Sequence, residues 1–245
     1  MKTLKRIEKL HEAVMFVATG IDRKLVVADI ATDHGYLAES LSKNDKIERV
    51  IATDISEKCL KKLVELIDKN KLEKIETIVG DGLSVIEKTD VSVVAGVGGW
   101  EIIKMLKNQN KTPDGTTKCD LFVLQPAQNA LELREWLFDN NVYVVKDYIV
   151  EDAGRFYPVI IIDISKKQTN EKSVFNMWIG RDNSVESEDF VKFLKETQLF
   201  LKFLEDISIE RIESDKVLKE KFELKLIIDK LLEKWYINFG RRNYD

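Results

Sequence analysis

Three aspartates follow three apolar runs in the first third of the chain, and their carboxylates could bind the polar groups of one small ligand. Asp29 stands at the end of the apolar run 25–28, and Asp54 comes 25 residues later. Asp81 lies between two glycines after a third run at 75–79. A carboxylate at the end of a buried strand can accept hydrogen bonds from an ammonium group, from two ribose hydroxyls or from an exocyclic amine. The set therefore points to a nucleotide-like cofactor.

Parallel strands and the helices between them are the elements that must position these acids. A polar loop at 30–35 separates the first predicted strand from a helix-like pattern at 36–41. Free N–H groups at such a helix start, together with strand-end acids, form the ligand site of doubly wound α/β sheets. Ser56 is placed to cap the helix that follows the second strand. The plainer alternative is that these acids are ordinary turn residues.

A block with three glycines in four residues, at 96–99, follows a fourth strand predicted at 91–95. Because it carries almost no side chains, this block could admit a flat ligand or a reacting base. The alternative is a tight turn into a helix predicted at 101–107. A polar loop is predicted after that helix, at 108–118.

The remaining strands close the sheet in the way that is typical of Rossmann-like methyltransferases. A fifth strand is predicted at 121–124 and ends in Gln125. Two further strands, at 142–148 and 157–164, are joined by the glycine-bearing connection 151–155, which suits an antiparallel hairpin. Ordinary dehydrogenases keep the sixth strand parallel. We therefore predict an α/β fold with a mostly parallel sheet closed by an antiparallel hairpin.

An amphipathic helix is predicted before the first strand, over residues 2–18. Its apolar stripe consists of Leu4, Ile7, Leu10 and Val14, and its opposite face is basic. The basic face is either solvated surface or a site of phosphate contact.

Heptad spacing in the C-terminal part predicts two antiparallel helices. Apolar residues recur in alternating four- and three-residue steps over 190–204 and 217–235, with a turn predicted at 213–215. We expect a Rossmann-like domain over residues 1–166. The second domain, 167–245, would consist of a linker and an antiparallel coiled-coil helical hairpin.

The composition excludes several classes of protein. The 245-residue chain has a formal net charge of −4, so bulk charge gives no argument for nucleic-acid binding. Cys59 and Cys119 match no metal or redox spacing, and with only two histidines a structural zinc site is not expected. No apolar run reaches the roughly 18 residues of a membrane span, and the N-terminus lacks a signal-peptide core. We expect a cytoplasmic protein that binds neither metal nor membrane.

An ordered set of motifs resembles the bacterial tRNA adenine-N1 methyltransferases that modify adenine 22. The motifs are VADIATDHGYL, IATDIS, VGDGL, VAGVGG, VLQPAQNALELREWL and EDAGRFYPVII, and they cover about residues 10–164. The Asp-His pair after the first strand and the glycine block followed by Leu-Gln-Pro are fairly specific to this group. The predicted helical hairpin matches the C-terminal domain of that family in type and place. Two positions depart from its pattern: Ala31 replaces a glycine, and Val97 replaces a residue that is commonly methionine.

The resemblance implies S-adenosyl-L-methionine as the cofactor, and the residue types suit it. Asp29 and the backbone around Ala31 would meet its methionine end. Asp54 would bind the ribose hydroxyls, and Asp81 with Gly82 the adenine edge. An acid-rich loop favours a cationic sulfonium and would repel the pyrophosphate of NAD. The implied cofactor-binding residues are Asp29, Ala31, Thr32, Gly35, Asp54, Ile55, Asp81, Gly82, Ala95 and Gly96.

The resemblance also implies methyl transfer to adenine N1, which requires the base to leave its stack because N1 is on the pairing edge. The residues implied near the reacting base are Asp33, His34, Tyr36, Gly98 and Gln125. His34 could instead orient Asp33 or cap the helix. Gln125 could instead tie the loops together.

The implied partner is tRNA, bound by a monomeric protein. Basic residues that could contact its phosphates are Lys2, Lys5, Arg6, Lys9, Arg134 and Arg155. The lysines of the helical hairpin and Arg241-Arg242 could reach the tRNA body, so that shape would select the substrate. Two alternatives remain open, a small-molecule methyltransferase and a non-catalytic RNA-binding scaffold that keeps a decayed cofactor fold.

Overall fold

A computed structural model describes residues 5–168 and 172–239 and contains a seven-stranded sheet. In chain order the strands are β1 Leu25–Ile30, β2 Ile47–Asp54, β3 Ile75–Val79, β4 Val91–Ala95, β5 Leu121–Gln125, β6 Val142–Asp152 and β7 Arg155–Lys167. They lie side by side in the order β3-β2-β1-β4-β5-β7-β6. Strands β1 to β5 are parallel, and β7 pairs antiparallel with β5. The predicted mostly parallel sheet with an antiparallel closure is confirmed.

Helices precede, connect and follow the strands. Helix α1 spans Lys5–Ala18, and the helices between strands are α2 Tyr36–Ser42, α3 Glu57–Asn70, α4 Gly99–Asn108 and α5 Ala130–Asp139. A short 3-10 helix, Gly82–Val85, follows β3. After β7 come α6 Val174–Ile179, α7 Glu188–Phe200, a 3-10 helix Leu201–Asp206, α8 Ile209–Ser214 and α9 Lys216–Phe239. Within residues 5–168 and 172–239, no helix is long and apolar enough to cross a membrane.

Burial on both faces places β1 and β4 in the middle of the sheet. Val27, Ala28 and Ile30 of β1 are fully buried, and so are Val91 and Val94 of β4. Parallel strands that are covered on both sides consist of such continuous apolar runs. The strand order reverses between β1 and β4, which leaves a crevice at their carboxyl ends. This crevice positions the candidate site.

The hairpin of β6 and β7 is longer and tighter than predicted. The connection predicted at 151–155 is wrong, because Ala153 and Gly154 alone separate the two strands. Both of these residues have positive φ, 51° and 78°, which is the geometry of a two-residue turn between right-twisted strands. Glu151 and Asp152 end β6, but their polar side chains are typical of a loop, so the sequence predicted a longer connection.

Helix α1 confirms the amphipathic pattern from Lys5 onward. Ile7, Leu10 and Val14 are buried against α2 and the strands β4 and β5. Lys2 and Leu4 lie outside the described residues. The apolar stripe thus fixes the helix beside the sheet, and its basic face is the part that is left to interact with solvent or a partner.

The described residues form two compact units. One contains the described residues up to Asp147 together with 157–168, and the other contains Tyr148–Phe156 and the described residues from 172 onward. The second unit therefore includes the tip of the β6–β7 hairpin. The domain limits 1–166 and 167–245 stay a prediction.

Contacts within the second unit explain why the hairpin tip belongs to it. The backbone N–H of Glu151 donates to Asp189 of α7, and the Glu151 carboxylate lies 3.4 Å from Lys192 Nζ. The rings of Phe156 and Phe193 meet edge to face, with centroids 5.2 Å apart. These polar and aromatic contacts tie the tip to α7.

The second unit has an apolar core of its own. Buried members of the predicted heptad pattern are Phe190, Leu194, Leu201, Leu204, Leu224 and Ile228. The helices are more divided than predicted, because α7 ends at Phe200 and the Ser208 hydroxyl accepts from the N–H of Arg211 to begin α8. An antiparallel coiled-coil hairpin over this region stays a prediction.

Candidate active site

The loop after β1 is held in a strained conformation at the carboxyl end of the sheet. Ala31, Asp33 and Gly35 all have positive φ, at 57°, 49° and 72°. The N–H of Thr32 donates to the carbonyl of Thr53 in the neighbouring strand, at 3.0 Å. A Cβ atom at Gly35 would lie 2.3 Å from Leu63 Cδ1, so only glycine fits there. Alternating left-handed residues thus fold this loop tightly over the ends of β1 and β2.

Asp29 points inward and supports that loop. Its side chain is only 3% exposed, and Oδ2 accepts a hydrogen bond of 2.6 Å from the Thr32 hydroxyl. Burial is the main cause that raises the pKa of Asp29 to about 6, although hydrogen bonds from Thr32 and from the backbone of Ala38 oppose it. Asp29 therefore shapes the loop and the start of α2, and direct contact with a ligand's ammonium group stays a prediction.

Asp54 is oriented by two backbone donors. Its Oδ2 accepts from the N–H of Asp33 at 3.1 Å, and its Oδ1 accepts from the N–H of Ser56 at 2.8 Å. Each carboxylate oxygen has a second lone pair, so the half-buried group can still accept two hydroxyl groups. The next residue, Ile55, is 74% exposed and adds apolar surface at the same strand end.

The predicted cap at Ser56 is confirmed, since its hydroxyl accepts from the N–H of Cys59 at the start of α3. The chain next reaches the site after β3, where the N–H of Gly80 donates to the carbonyl of Asp54 at 2.9 Å. This bond joins the loop that contains Asp81 to the end of β2. The sheet thus brings the three predicted acids to one edge.

Gln109 fixes the loop of Asp81, which is itself exposed. Its Nε2 donates to Asp81 Oδ2 at 3.2 Å, and its Oε1 accepts from the N–H of Leu83 at 2.9 Å. Gly82 has φ 56° and is buried, and a Cβ atom there would lie 2.7 Å from Gln109 Oε1. Gln109 belongs to the segment that was predicted only as a polar loop.

Lys118, at the other end of that loop, holds the same turn. Its buried ammonium donates to the carbonyls of Leu83 and Ser84, at 2.6 and 3.1 Å, and burial lowers the pKa of Lys118. The partners of Gln109 and Lys118 lie 26 to 35 residues away along the chain. No spacing in the sequence marks such contacts, so sequence reasoning missed both residues.

The glycine block after β4 is joined by backbone hydrogen bonds to the segment after β5. The N–H of Gly96 donates to the carbonyl of Gln125, and the N–H of Gly99 donates to the carbonyl of Gln128, at 3.0 and 2.8 Å. A Cβ atom at Gly99 would lie 2.2 Å from the Asn129 carbonyl oxygen, whereas one at Gly96 would meet no atom within 4 Å. The block is therefore closely packed where α4 begins, at Gly99, and open at Gly96.

Gln125 is not placed where a base could reach it. The side chain is fully buried, its Nε2 donates to the carbonyl of Pro126, and its Oε1 lies 3.4 Å from Arg6 Nη1. Arg6 also stacks over the ring of Tyr157, 5.1 Å from the centroid. The expectation that Gln125 contacts the reacting base is wrong, because its side chain is buried at the strand end. Its hydrogen bond to Arg6 instead links β5 to α1.

The other residues expected near the base lie together on the exposed side of the loop. Nδ1 of His34 is 2.8 Å from Asp33 Oδ1, but the two atoms are not aligned for a hydrogen bond. Nζ of Lys62 is 3.4 Å from His34 Nε2, which favours the tautomer with its proton on Nδ1, beside Asp33. The ring of Tyr36, 38% exposed, lies 5.8 Å from that of His34. Lys62 is a further neighbour that the sequence did not reveal.

Comparison with known proteins shows the family to which the chain belongs. A family model described as a methyltransferase domain matches residues 10–160. The chain belongs to the methyltransferase domain family. The methyltransferase chain is 32% identical to tRNA (adenine(22)-N(1))-methyltransferase of Bacillus subtilis (strain 168) over 158 residues. That match covers 63% of this chain and 65% of the relative, just under two thirds of the relative's length.

Two solved structures resemble the methyltransferase chain over nearly their whole length. One is Streptococcus pneumoniae Sp1610 in complex with S-adenosyl-L-methionine, which is 25% identical with a TM-score of 0.70, covering 90% of this chain and 98% of that one. The other is M. capricolum TrmK in complex with S-adenosyl-homocysteine, which shares the fold at 22% identity and a TM-score of 0.67. It covers 94% of this chain and 96% of that chain. The resemblance drawn from the sequence motifs is confirmed.

Arg134 of this methyltransferase is not available to RNA. Its side chain is 4% exposed, and Nε and Nη2 donate to the two carboxylate oxygens of Asp147, at 2.7 and 2.9 Å. The expected phosphate contact at Arg134 is therefore wrong, because the guanidinium forms a buried ion pair that joins α5 to β6. The sequence pattern around Arg134 did not indicate that Asp147, 13 residues further along the chain, would be its partner.

Of the remaining basic residues of the RNA-binding set, those that the structure describes are exposed or half-buried, and Lys2 lies outside the described residues. Lys5 and Arg6 are half-buried, Lys9 pairs with Glu12 on the same helix, and Arg155 is exposed at the hairpin turn. Within residues 5–168 and 172–239, no group of three His, Cys, Asp or Glu side chains could hold a metal ion.

Proposed function

We propose that this chain methylates N1 of adenine 22 in tRNA, with S-adenosyl-L-methionine as the methyl donor. The proposal depends on one observation: hydrogen bonds join the segments at the carboxyl ends of β1, β2 and β3, where Asp29, Asp54 and Asp81 lie. The chain also belongs to the methyltransferase domain family. The Bacillus subtilis relative is named tRNA (adenine(22)-N(1))-methyltransferase, and Sp1610 was solved with S-adenosyl-L-methionine. Both point to the same substrate and cofactor for this chain.

The residues at the strand ends fit this cofactor. Asp54, held by two backbone N–H groups, keeps one lone pair on each oxygen for the two ribose hydroxyls. The exposed side chain of Ile55 offers an apolar surface to the adenine ring, and Asp81 can accept from its exocyclic amine. The open space at Gly96 leaves room close to the backbone. When bound, the cofactor would supply an electrophilic methyl group, and the carboxylates of the site would favour its positive charge.

The reacting adenine would enter over the ends of β4 and β5, because the acids occupy the ends of β1, β2 and β3. N1 is on the pairing edge, so the base must leave its stack, and its lone pair is already nucleophilic. The chain's part is therefore to orient the base in line with the methyl group. We assign this to the exposed group of Asp33, His34 and Tyr36, with Gly98 as the side-chain-free floor.

Several surfaces would contact the tRNA. In the first unit these are Lys5, Arg6 and Lys9 of α1, and in the second unit Arg155 of β7. Lys2 and Arg241-Arg242 lie outside the described residues and remain expectations from the sequence. We further propose that the C-terminal helices form an antiparallel coiled-coil hairpin that reads tRNA shape, and that the protein is a cytoplasmic monomer that needs no metal.

Transfer of a labelled methyl group tests the proposal against its alternatives. The protein is incubated with labelled S-adenosyl-L-methionine and either an unmodified tRNA transcript or the same transcript with guanine at position 22. We expect incorporation only into the first. Turnover without RNA would favour a small-molecule methyltransferase, and absence of S-adenosyl-L-methionine binding in calorimetry would favour a non-catalytic scaffold.

A further inference from the structure

The side chain of Gln128 lies beside Gly98 of the glycine block. It is exposed, and a methyl group added at Gly98 would lie 3.5 Å from Gln128 Nε2 and 3.6 Å from its Cγ. The amide therefore rests against the floor that Gly98 forms. The other glutamine of the same segment, Gln125, is buried and cannot take this place.

Backbone contacts hold Gln128 in position on both sides. Ala127 donates to the carbonyl of Val97 at 2.8 Å, the carbonyl of Gln128 accepts from Gly99, and Gly98 and Gln128 form a parallel bridge. This pairing continues the β4–β5 register beyond the strand ends. The backbone of Gln128 is thus as well placed as a strand residue, although it lies in a loop.

The amide itself is left without a partner. In the part of the chain that the structure describes, no hydrogen bond or ion pair involves the Gln128 side chain, in contrast to Gln109 and Gln125. An amide that is positioned by a rigid backbone and is free of internal bonds can give both of its hydrogen-bonding groups to a ligand.

We propose that Gln128 recognises the target adenine through N6 and N7. A glutamine amide can accept from the N6 amine and donate to N7 at the same time, and this bidentate pair distinguishes adenine from guanine. Binding that edge leaves N1 free, whereas an amide on the pairing edge would cover the atom that must react. When N1 takes the methyl group from the donor sulfonium, the N–C bond would form as the S–C bond breaks, and the sulfur would leave as the neutral thioether of S-adenosyl-homocysteine. The positive charge would pass to the base and spread to its exocyclic amine, which would strengthen the bond of that amine to the Gln128 oxygen. Gln128 would then select the base and stabilise the transition state.

This inference rests on the proposed function, and its test uses the adenine atoms themselves. Wild-type protein and Gln128→Ala are compared on tRNA that carries adenine or 7-deazaadenine at position 22, since the second base lacks the N7 acceptor. Asn108→Ala, at the exposed C-terminal end of α4, is the matched amide control.

We expect Gln128→Ala to lower kcat/KM on adenine tRNA by about 10-fold to 100-fold, which corresponds to the discrimination of one bidentate pair. On 7-deazaadenine tRNA the wild type should already be slower, and the loss caused by Gln128→Ala should shrink by at least about 3-fold. Cofactor affinity and thermal stability should be unchanged in both variants.

Equal losses on the two tRNAs, or no loss on adenine tRNA, would overturn the role of Gln128. If wild-type protein methylates no tRNA at all, the proposed function fails instead, and the two failures are thereby distinguished.

Discussion

The carboxylate of Asp54 accepts the backbone N–H of Asp33 at 3.1 Å, so the end of β2 holds the loop that follows β1. The same carboxylate accepts from the N–H of Ser56, at the start of α3. One side chain therefore joins two loops of the crevice and still has a free lone pair on each oxygen. Both the binding of a ligand and the shape of the loop depend on it.

Asp54→Ala is expected to weaken S-adenosyl-L-methionine binding by about 10-fold to 100-fold, because hydrogen bonds to a charged group are worth about 1.5–3 kcal/mol. Titration calorimetry measures the effect. Asp45→Ala, an exposed acid next to the opposite end of β2, is the control and should bind normally. Normal affinity in Asp54→Ala would refute the ribose-binding role of the carboxylate.

The raised pKa of Asp29 predicts a stability that depends on pH. Its pKa is 3.8 in an ordinary environment and about 6 in the fold. Between these values the folded chain binds more protons at this site than the unfolded chain, so the free energy of unfolding contributed by Asp29 falls as pH rises from about 4 to about 6. Two pKa units correspond to about 3 kcal/mol.

Asp29→Asn removes this titration and should flatten that part of the profile. The measurement is urea unfolding of both proteins at several pH values between about 4 and 7, analysed as the difference between them, so that other titrating groups cancel. A difference that stays constant over this range would show that Asp29 has no raised pKa in the fold.

Ala31 and Ala153 share a left-handed backbone, with φ of 57° and 51°, but only Ala31 lies in the loop of the site. Ala31→Gly and Ala153→Gly should each raise the free energy of unfolding by about 0.5–1 kcal/mol, since relief of strain outweighs the entropy that glycine loses. Thermal melts measure this gain.

Only Ala31→Gly should also change the affinity for S-adenosyl-L-methionine, by removing a methyl group where the cofactor approaches. Calorimetry on both variants separates local strain from ligand contact. An equal change of affinity in the two variants, or no change in either, would contradict the placement of the cofactor beside Ala31.

Because Arg134 and Asp147 form a buried ion pair, we predict that replacing Arg134 destabilises the fold and does not remove a contact with RNA. Arg134→Met should destabilise the fold by about 3–5 kcal/mol, because it removes the guanidinium that pairs with the buried Asp147 carboxylate. The double variant Arg134→Met with Asp147→Leu should recover most of that loss. Arg155→Ala, an exposed control, should melt like the wild type. A wild-type melting temperature for Arg134→Met would contradict the pair.

The sequence predicted the parts of the site that follow from strand ends. Asp29, Asp54 and Asp81 could be placed on one edge of the sheet because the carboxyl ends of parallel strands meet there. The buried runs of β1 and β4 and the cap at Ser56 could also be predicted, because each depends on residues that are close along the chain.

The roles of site residues that depend on contacts distant in the sequence could not be predicted. Gln125 and Arg134 had the right residue types for a base and a phosphate, but burial and the partners Arg6 and Asp147 give them structural roles. Gln109 and Lys118 looked like loop residues, since their bonds to the Asp81 turn span 26 to 35 positions. Such pairings are set by the tertiary fold, which local patterns do not encode.

The central claim, methylation of adenine N1 at position 22, is tested most directly by mapping the product. Unmodified tRNA is treated with the protein and S-adenosyl-L-methionine and then copied by reverse transcriptase, which stops where N1 methylation blocks the pairing edge. We predict an enzyme-dependent arrest at adenine 22. Label incorporation with the arrest at another nucleotide would contradict the assignment of position, and incorporation without any arrest would contradict the assignment of N1.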